Sequence, residues 1–153
     1  GVISTQNSEL ILFSSSFDNI VKNYPLAAAA LNLINNPNLQ LLELKGYRRE
    51  EVAVLLTAVD AALMTSHTEG SPQFIKEAIA CGCPVVSTDV GDVKSVIGNI
   101  EGCFITSRQP EDVASKIRQA LNCVTPINGR GRIQKFDNES IAKRLISLYQ
   151  SIS

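Results

Sequence analysis

The feature that most constrains this chain is an alternation that runs almost end to end: short apolar runs, each followed by a longer stretch with apolar residues at helical spacing. Alternation of this kind is the signature of βαβ units around a parallel sheet. Leu10 to Phe13 reads as a first strand, and Tyr24 to Ile34, with its run of alanines and spaced leucines, as the helix that follows. Asn35-Asn36-Pro37-Asn38 breaks that helix. Leu39 to Leu44 is a second strand, Arg49 to Ala58 a second helix with Glu50 and Glu51 in its first turn, and Val59 to Thr65 a third strand. The pattern continues with a helix over Pro72 to Cys81, a strand over Pro84 to Thr88, a short helix over Lys94 to Ile97 and a strand over Gly102 to Ile105. A helix from Glu111 to Leu121, a surface loop from Thr125 to Arg132 and a final amphipathic helix from Ser140 to Ile152, within the C-terminal segment 138–153, complete the reading.

Five strands, each followed by helix or turn, predict an α/β fold of one domain over residues 1–153: a Rossmann-like, doubly wound parallel sheet in three layers, α/β/α. Such sheets bind ligands beyond the carboxyl ends of their strands, so the loops after Phe13, Leu44, Thr65 and Thr88 are the places to look. The length agrees, since 153 residues bury a real core but are few for a complete two-domain enzyme. Fourteen Lys and Arg nearly balance fifteen Asp and Glu, so no overall field draws the protein to nucleic acid or to an anionic membrane. Any anion it binds must be held locally.

The longest apolar runs, Leu26 to Leu31 and Val52 to Leu56, fall far short of the ~20 residues a membrane span needs. The start, Gly1-Val2-Ile3-Ser4, lacks the charged and apolar parts of a secretion signal, and the expected location is the cytoplasm. Cys81, Cys83, Cys103 and Cys123 are read as free thiols, because free cysteine commonly behaves as a small hydrophobe. Cys81-Gly82-Cys83 is spaced more tightly than common zinc knuckles and His67 is the only histidine, so no metal site is expected.

The richest loop is Ser66-His67-Thr68-Glu69-Gly70-Ser71-Pro72, which leads into Gln73-Phe74-Ile75-Lys76-Glu77-Ala78-Ile79-Ala80. Ser71 is suited to cap this helix and Pro72 to open it, which leaves the first-turn amides of Gln73 and Phe74 facing the crevice. Free amides and the helix dipole favour an anion there, with a phosphate the natural guest, and Gly70 allows close approach of the backbone. Glu69 sits just before the helix and Glu77 lies inside it, about 7–8 Å along the axis from Pro72 at ~1.5 Å per residue. Carboxylates beside a phosphate need another purpose, and sugar hydroxyls are the obvious donors to them. The plainer alternative makes Glu69 a loop charge and Glu77 an exposed residue paired with a lysine, although Lys76, adjacent in sequence, points elsewhere.

The run from Glu69 to Gly91, with Glu69 and Glu77 separated by seven intervening residues, an alanine-rich helix end, Gly82-Cys83-Pro84-Val85-Val86 and the later glycine, resembles the donor-site signature of glycosyltransferase family 4, of the GT-B fold. The resemblance covers about Leu10 to Leu121. It implies that the chain is the C-terminal, donor-binding half of a GT-B enzyme, with an N-terminal acceptor domain of the same polypeptide expected outside it. It further implies retaining transfer from a UDP- or GDP-sugar in polysaccharide or lipopolysaccharide assembly, with no metal or other cofactor. Peripheral membrane association of the full-length enzyme goes with that setting. By matching position, Glu77 would hold the ribose, and Glu69 would lie against the transferred sugar as the residue of the catalytic centre. Gly70, Ser71, Pro72, Gln73 and Phe74 would face the phosphates.

In the family, the loop after the first strand carries an arginine and a lysine that clamp the diphosphate. Lys22 stands in the lysine's place, but Ser16 stands roughly where the arginine would be, and serine cannot replace its fork of donors. Either Ser14, Ser15 and Ser16 supply hydroxyls to a phosphate, or another cation such as Arg48 reaches in. Gly46 and Tyr47 occupy the region that contacts the base, where Tyr47 either stacks or covers the sheet edge. Gly91-Asp92 replaces the common Gly-Gly, and Ser95 a frequent glutamate. His67 either donates to a ligand oxygen or is incidental. The alternatives within reach of this pattern are a GT-B-fold nucleotide-sugar epimerase and a non-catalytic Rossmann-like nucleotide-binding module. A dehydrogenase is disfavoured, since no strand leads into Gly-x-Gly-x-x-Gly.

Overall fold

A computed structural model describes residues 8–123 and 141–148. Strands β1 (Glu9–Phe13), β2 (Leu39–Leu42), β3 (Ala61–Met64), β4 (Val85–Thr88) and β5 (Cys103–Thr106) alternate with helices α1 (Tyr24–Ile34), α2 (Arg49–Ala58), α3 (Gln73–Ala80), α4 (Val93–Ile97) and α5 (Pro110–Leu121). A last helix, α6, occupies 141–148. The predicted loop from Thr125 to Arg132 lies outside the described residues, as do the two ends of the predicted final helix. One short element was not anticipated: a 3-10 turn at Ile20–Lys22 that delivers the chain to α1 through Asn23, whose φ of 58° is left-handed. Asparagine tolerates that region better than most residues.

The sheet has the order β2-β1-β3-β4-β5, and every neighbouring pair is parallel. Parallel strands are covered on both faces, and the period-2 alternation of side chains shows how this one is. Leu10, Leu12, Ala62, Met64 and Val85 face one layer, where they pack with Leu55 and Leu56 of α2, Ile75 and Ala78 of α3, Val93 and Ile97 of α4, and Ala142 and Ile146 of α6. Ile11, Phe13, Ala61, Leu63 and Val86 face the other, against Leu26, Ala27 and Ala30 of α1 and Val113, Ala114, Ile117 and Ala120 of α5. The three-layer expectation holds. The alanines of α1 let that helix lie close to the sheet and to α5, because a small side chain sets a short interaxial distance.

Cys81, Cys83 and Cys103 belong to this packing. None of the four cysteines forms a disulfide, Cys83 is buried, and burial pushes the Cys103 thiol up to about 11, which keeps it protonated and inert.

From β1 the chain moves one way to β2, then returns to place β3, β4 and β5 on the other side of β1. The order reverses between β1 and β3, and a crevice opens beyond the carboxyl ends of these two strands. At the opposite end the sheet is tied by Asp60, whose carboxylate accepts the Leu10 amide at 2.7 Å while its own amide donates to the Leu10 carbonyl at 2.8 Å.

The connection from β5 to α5 is fastened by Asp112, which accepts the Ser107 amide and the Lys116 ammonium, both at 2.8 Å. The hydrogen bond from Lys116, followed by that from Ser107, holds the Asp112 carboxyl well below the usual carboxylate range. Its folded-state pKa is depressed, so its stabilising contribution is present above the ordinary carboxylate pKa and is lost as pH falls through the folded value. Thermal unfolding should therefore show Asp112→Asn less stable than the wild type at pH 7, with the gap closing as the pH is lowered below about 4.

Candidate functional site

The loop after β3 forms one wall of the crevice, and its backbone is fixed to the segment entering α1. The Thr65 hydroxyl is shared between the carbonyls of Lys22 (3.1 Å) and Asn23 (2.9 Å), and the His67 amide donates to the Val21 carbonyl at 2.9 Å. From the other side, the Thr88 hydroxyl donates to the Ser66 carbonyl at 2.8 Å. Tyr24 and Phe17 stack with ring centroids 4.2 Å apart and both lean on Phe13, which anchors the loop after β1 at both ends.

On this frame Lys22 and Glu69 meet as an ion pair across the switch point, and Ser66 donates to the same carboxylate oxygen at 2.7 Å. The two residues came from separate parts of the sequence reading, and neither was expected to neutralise the other.

The remainder of the wall is a second contact, between Gly70-Ser71 and the turn after β4. A Cβ on Gly91 would sit 2.0 Å from the Gly70 carbonyl oxygen and 2.7 Å from that of Glu69, and its φ is +53°. The Asp92 amide donates to the Gly70 carbonyl at 3.1 Å, and the Ser71 hydroxyl donates to the Asp92 carboxylate at 2.7 Å. Lys76 bonds the Ser71 hydroxyl and lies 3.8 Å from the same Asp92 oxygen. Ser71 therefore does not cap α3. The helix begins at Gln73 behind Pro72, and no side chain caps it. The Ser71 hydroxyl is turned instead to Asp92, to which it donates, and to Lys76, from which it accepts, and Pro72 rather than Ser71 stands at the cap position. The amides of the first turn are left without a side-chain acceptor.

Glu77, half-buried on α3, faces Arg49 of α2 at 3.6 Å. Lys76 indeed turns away from it. Arg49 was missed in the sequence, although its place at the start of the preceding helix is the kind of position from which a long cation reaches a neighbour. Arg48 stays at its own helix, with Nε 3.6 Å from Glu51 and its amide donating to the same carboxylate oxygen at 2.8 Å. Its partner is Glu51, not a residue of the loop after β1.

The serines after β1 are mostly engaged. Ser15 accepts from the Asn19 side chain at 3.2 Å, and Ser16 bonds Asp18 and, at 3.2 Å, Glu43. Glu43 also accepts the Phe17 amide at 2.9 Å and so organises the whole loop. The sequence signal for it was a single acidic residue at the end of an apolar strand, between Leu42 and Leu44. The Ser16 hydrogen bond and then Lys45 hold the Asp18 carboxyl below its usual value. The Ser14 hydroxyl is buried and has no partner among the described residues.

Gly46 has a φ of 85°, and Tyr47 is half-buried against the core. His67 is exposed, and its carbonyl accepts from Arg108 at 2.8 Å, a contact the sequence did not suggest. Among the described residues, no three His, Cys, Asp or Glu side chains are grouped to hold a metal ion.

A Rossmann-like α/β domain with a charged crevice at its switch point is a fold that many activities share. Its family is narrower. The profile described as glycosyl transferases group 1 matches residues 20–123, more than half of the chain, and the chain belongs to that family. An uncharacterized glycosyltransferase of Methanocaldococcus jannaschii is 27% identical over 129 residues, 80% of this chain and 37% of its own length. The N,N'-diacetylbacillosaminyl-diphospho-undecaprenol alpha-1,3-N-acetylgalactosaminyltransferase of Campylobacter jejuni is 26% identical over 110 residues, 68% of this chain and 29% of its own length. Anabaena HepE, solved in complex with UDP and glucose, shares the fold with a TM-score of 0.63 at 18% identity, over 95% of this chain and 47% of that one. The chain thus spans less than half the length of each of these proteins.

The two glycines of the wall should behave oppositely. Gly91→Ala meets both a backbone clash and a left-handed φ, and urea unfolding should show a loss of at least about 2 kcal/mol. Gly70→Ala places its methyl where no protein atom lies within 4 Å, and its stability should stay within about 0.5 kcal/mol of the wild type.

Proposed function

We propose that this chain binds the nucleotide-diphosphate sugar of a retaining glycosyltransferase. The observation that carries the reading is the layout of one wall: Lys22 and Glu69 at the switch point, then the uncapped first turn of α3, then Glu77 farther along the same helix. A diphosphate needs donors and positive charge, which the α3 amides and Lys22 provide. A ribose needs a fixed acceptor for two hydroxyls, which Glu77 provides from a helix. Glu69 is left for the hydroxyls of the transferred sugar. The hydroxyls of Ser15 and Ser16 are secondary in this scheme, because Asn19, Asp18 and Glu43 already engage them. Gly46 and Tyr47 remain the place for the base.

The chemistry assigned to this domain is electrostatic stabilisation of the leaving diphosphate and orientation of the sugar. Glu69 serves the catalytic centre by orientation rather than by attack on the anomeric carbon, and no metal or cofactor is assigned. The donor is a UDP- or GDP-sugar, a reading that the UDP and glucose bound to Anabaena HepE support. The acceptor is a cell-envelope glycan or a lipid-linked sugar, in keeping with the lipid-linked acceptor named for the Campylobacter relative. It would be presented by a second domain of the same polypeptide, at the cytoplasmic side of a membrane to which the full-length enzyme associates peripherally. No helix among the described residues is long and apolar enough to cross a membrane. This chain on its own is expected to bind donor and not to transfer it.

Calorimetry of the 153-residue chain with UDP, GDP and NAD tests the reading. UDP or GDP should bind in preference to NAD; preference for NAD, or no affinity for any of them, sinks it. Glu77→Ala should weaken nucleotide binding roughly ten- to a hundredfold, the range for losing hydrogen bonds to a charged group. Unchanged affinity would remove Glu77 from the ribose.

A further inference from the structure

Lys22 has two claimants. Its ammonium is paired with Glu69, and the donor diphosphate assigned to this crevice needs the same ammonium. We propose that the donor binds by an exchange of partners, which makes the site favour the intact sugar nucleotide over the nucleoside diphosphate left after transfer. This rests on the donor-site reading above.

The argument begins with burial. The Lys22 and Glu69 side chains are only 22% and 13% exposed, so neither charge is left to bulk water if the other withdraws. Separating a sheltered pair is costly unless each member finds a new partner. The backbone does not relieve that cost. Thr65 fixes the carbonyls of Lys22 and Asn23, and the His67 amide fixes Val21, so the two side chains stay opposed whatever the ligand does. Only the ends of the side chains have freedom.

An intact sugar nucleotide supplies both replacements. Its diphosphate takes Lys22, and the hydroxyls of its sugar donate to Glu69, with the Ser66 hydroxyl still in place at 2.7 Å. A nucleoside diphosphate supplies one. It takes Lys22 but leaves Glu69 with Ser66 alone, beside a second negative group. The carboxylate then competes with the phosphate for the ammonium, and the product is held less tightly than its phosphates alone would dictate. Once the sugar has gone to the acceptor, Glu69 draws Lys22 back and the diphosphate is loosened. The two sites are coupled through one cation, and coupling of this kind is reciprocal.

The test compares affinities for UDP and for UDP-glucose by calorimetry in the wild type, Glu69→Gln, Lys22→Met and the double variant. Glutamine keeps the bond from Ser66 and removes the competing charge. Glu69→Gln should bind UDP more tightly than the wild type, by roughly five- to tenfold, and should narrow or reverse the preference for UDP-glucose. In the Lys22→Met background the same substitution should change UDP affinity less than about twofold, since there is no ammonium to contest. Glu69→Gln that binds UDP no better than the wild type overturns the proposal. So does a gain of equal size without Lys22, which would be simple relief of charge repulsion. Where the wild type prefers GDP, the same comparison is made with GDP and a GDP-sugar; absence of binding of UDP, GDP and their sugar forms alike would instead remove the donor-site reading itself.

Discussion

The Thr65 hydroxyl, one residue beyond β3, lies between the carbonyls of Lys22 and Asn23 and fixes the crossing of two loops that the sequence separates by about forty positions. A β-branched side chain suits this role because it has few rotamers to lose when it is held. The crossing decides where Lys22 stands relative to Glu69. It also decides where α1 starts, because the left-handed Asn23 that turns the chain into the helix is one of the two bonded residues. The His67 amide extends the same crossing by one more bond to Val21. The rest of the crevice is built outward from here: Gly70 leans on Gly91, Ser71 is drawn to Asp92, and α3 starts without a cap. Each contact sits on the one before it. A shift of Thr65 would move all of them, whereas a shift of Ser71 would move only the last.

How much of this was legible in the sequence divides along a physical line. Periodicity carried the sheet and its helices, because the two faces of a parallel sheet demand apolar residues at fixed spacing and leave their mark in the chain. Leu10 and Leu12 against Ile11 and Phe13 are such a mark. Element ends were less visible: β2 stops at Leu42, not Leu44, and β3 begins at Ala61, not Val59. At those positions the apolar character extends beyond the ends of the ladder, since Leu44 after β2 and Val59 before β3 pack on the core without pairing as strand.

The wall of the site was legible as a list of residues and not as a set of partners. Ser71 before Pro72 carries the local signature of a helix cap, and nothing nearby in sequence warns that Asp92, twenty-one positions on, takes its hydroxyl. Arg49 with Glu77 and Glu43 with Phe17 are likewise pairs made by the fold, between segments that local rules treat separately. Residue types at a crevice follow from the ligand they are read to meet, whereas their pairings follow from the three-dimensional closeness of loops. Only the former leaves a pattern along the chain.

The near-zero net charge takes on a more definite sense beside these pairings. Lys22, Lys76 and Arg49 are each matched to a carboxylate of the same neighbourhood, Glu69, Asp92 and Glu77, while Arg108 is turned to the His67 carbonyl. A site made of matched pairs exerts little attraction at a distance, because opposite charges a few ångströms apart cancel well within the ~8 Å screening length of physiological salt. It therefore does not gather anions indiscriminately. Its selectivity has to come from geometry at contact, where a ligand must offer negative groups to the cations and hydroxyls to the carboxylates in the same pose. A polyanion meets only half of that demand, and a neutral sugar only the other half. On the proposed donor-site reading, a wall of this kind rewards a molecule that joins a phosphate chain to polyols at both ends, with Glu69 and Glu77 on either side of the first turn of α3 setting the distance between those ends.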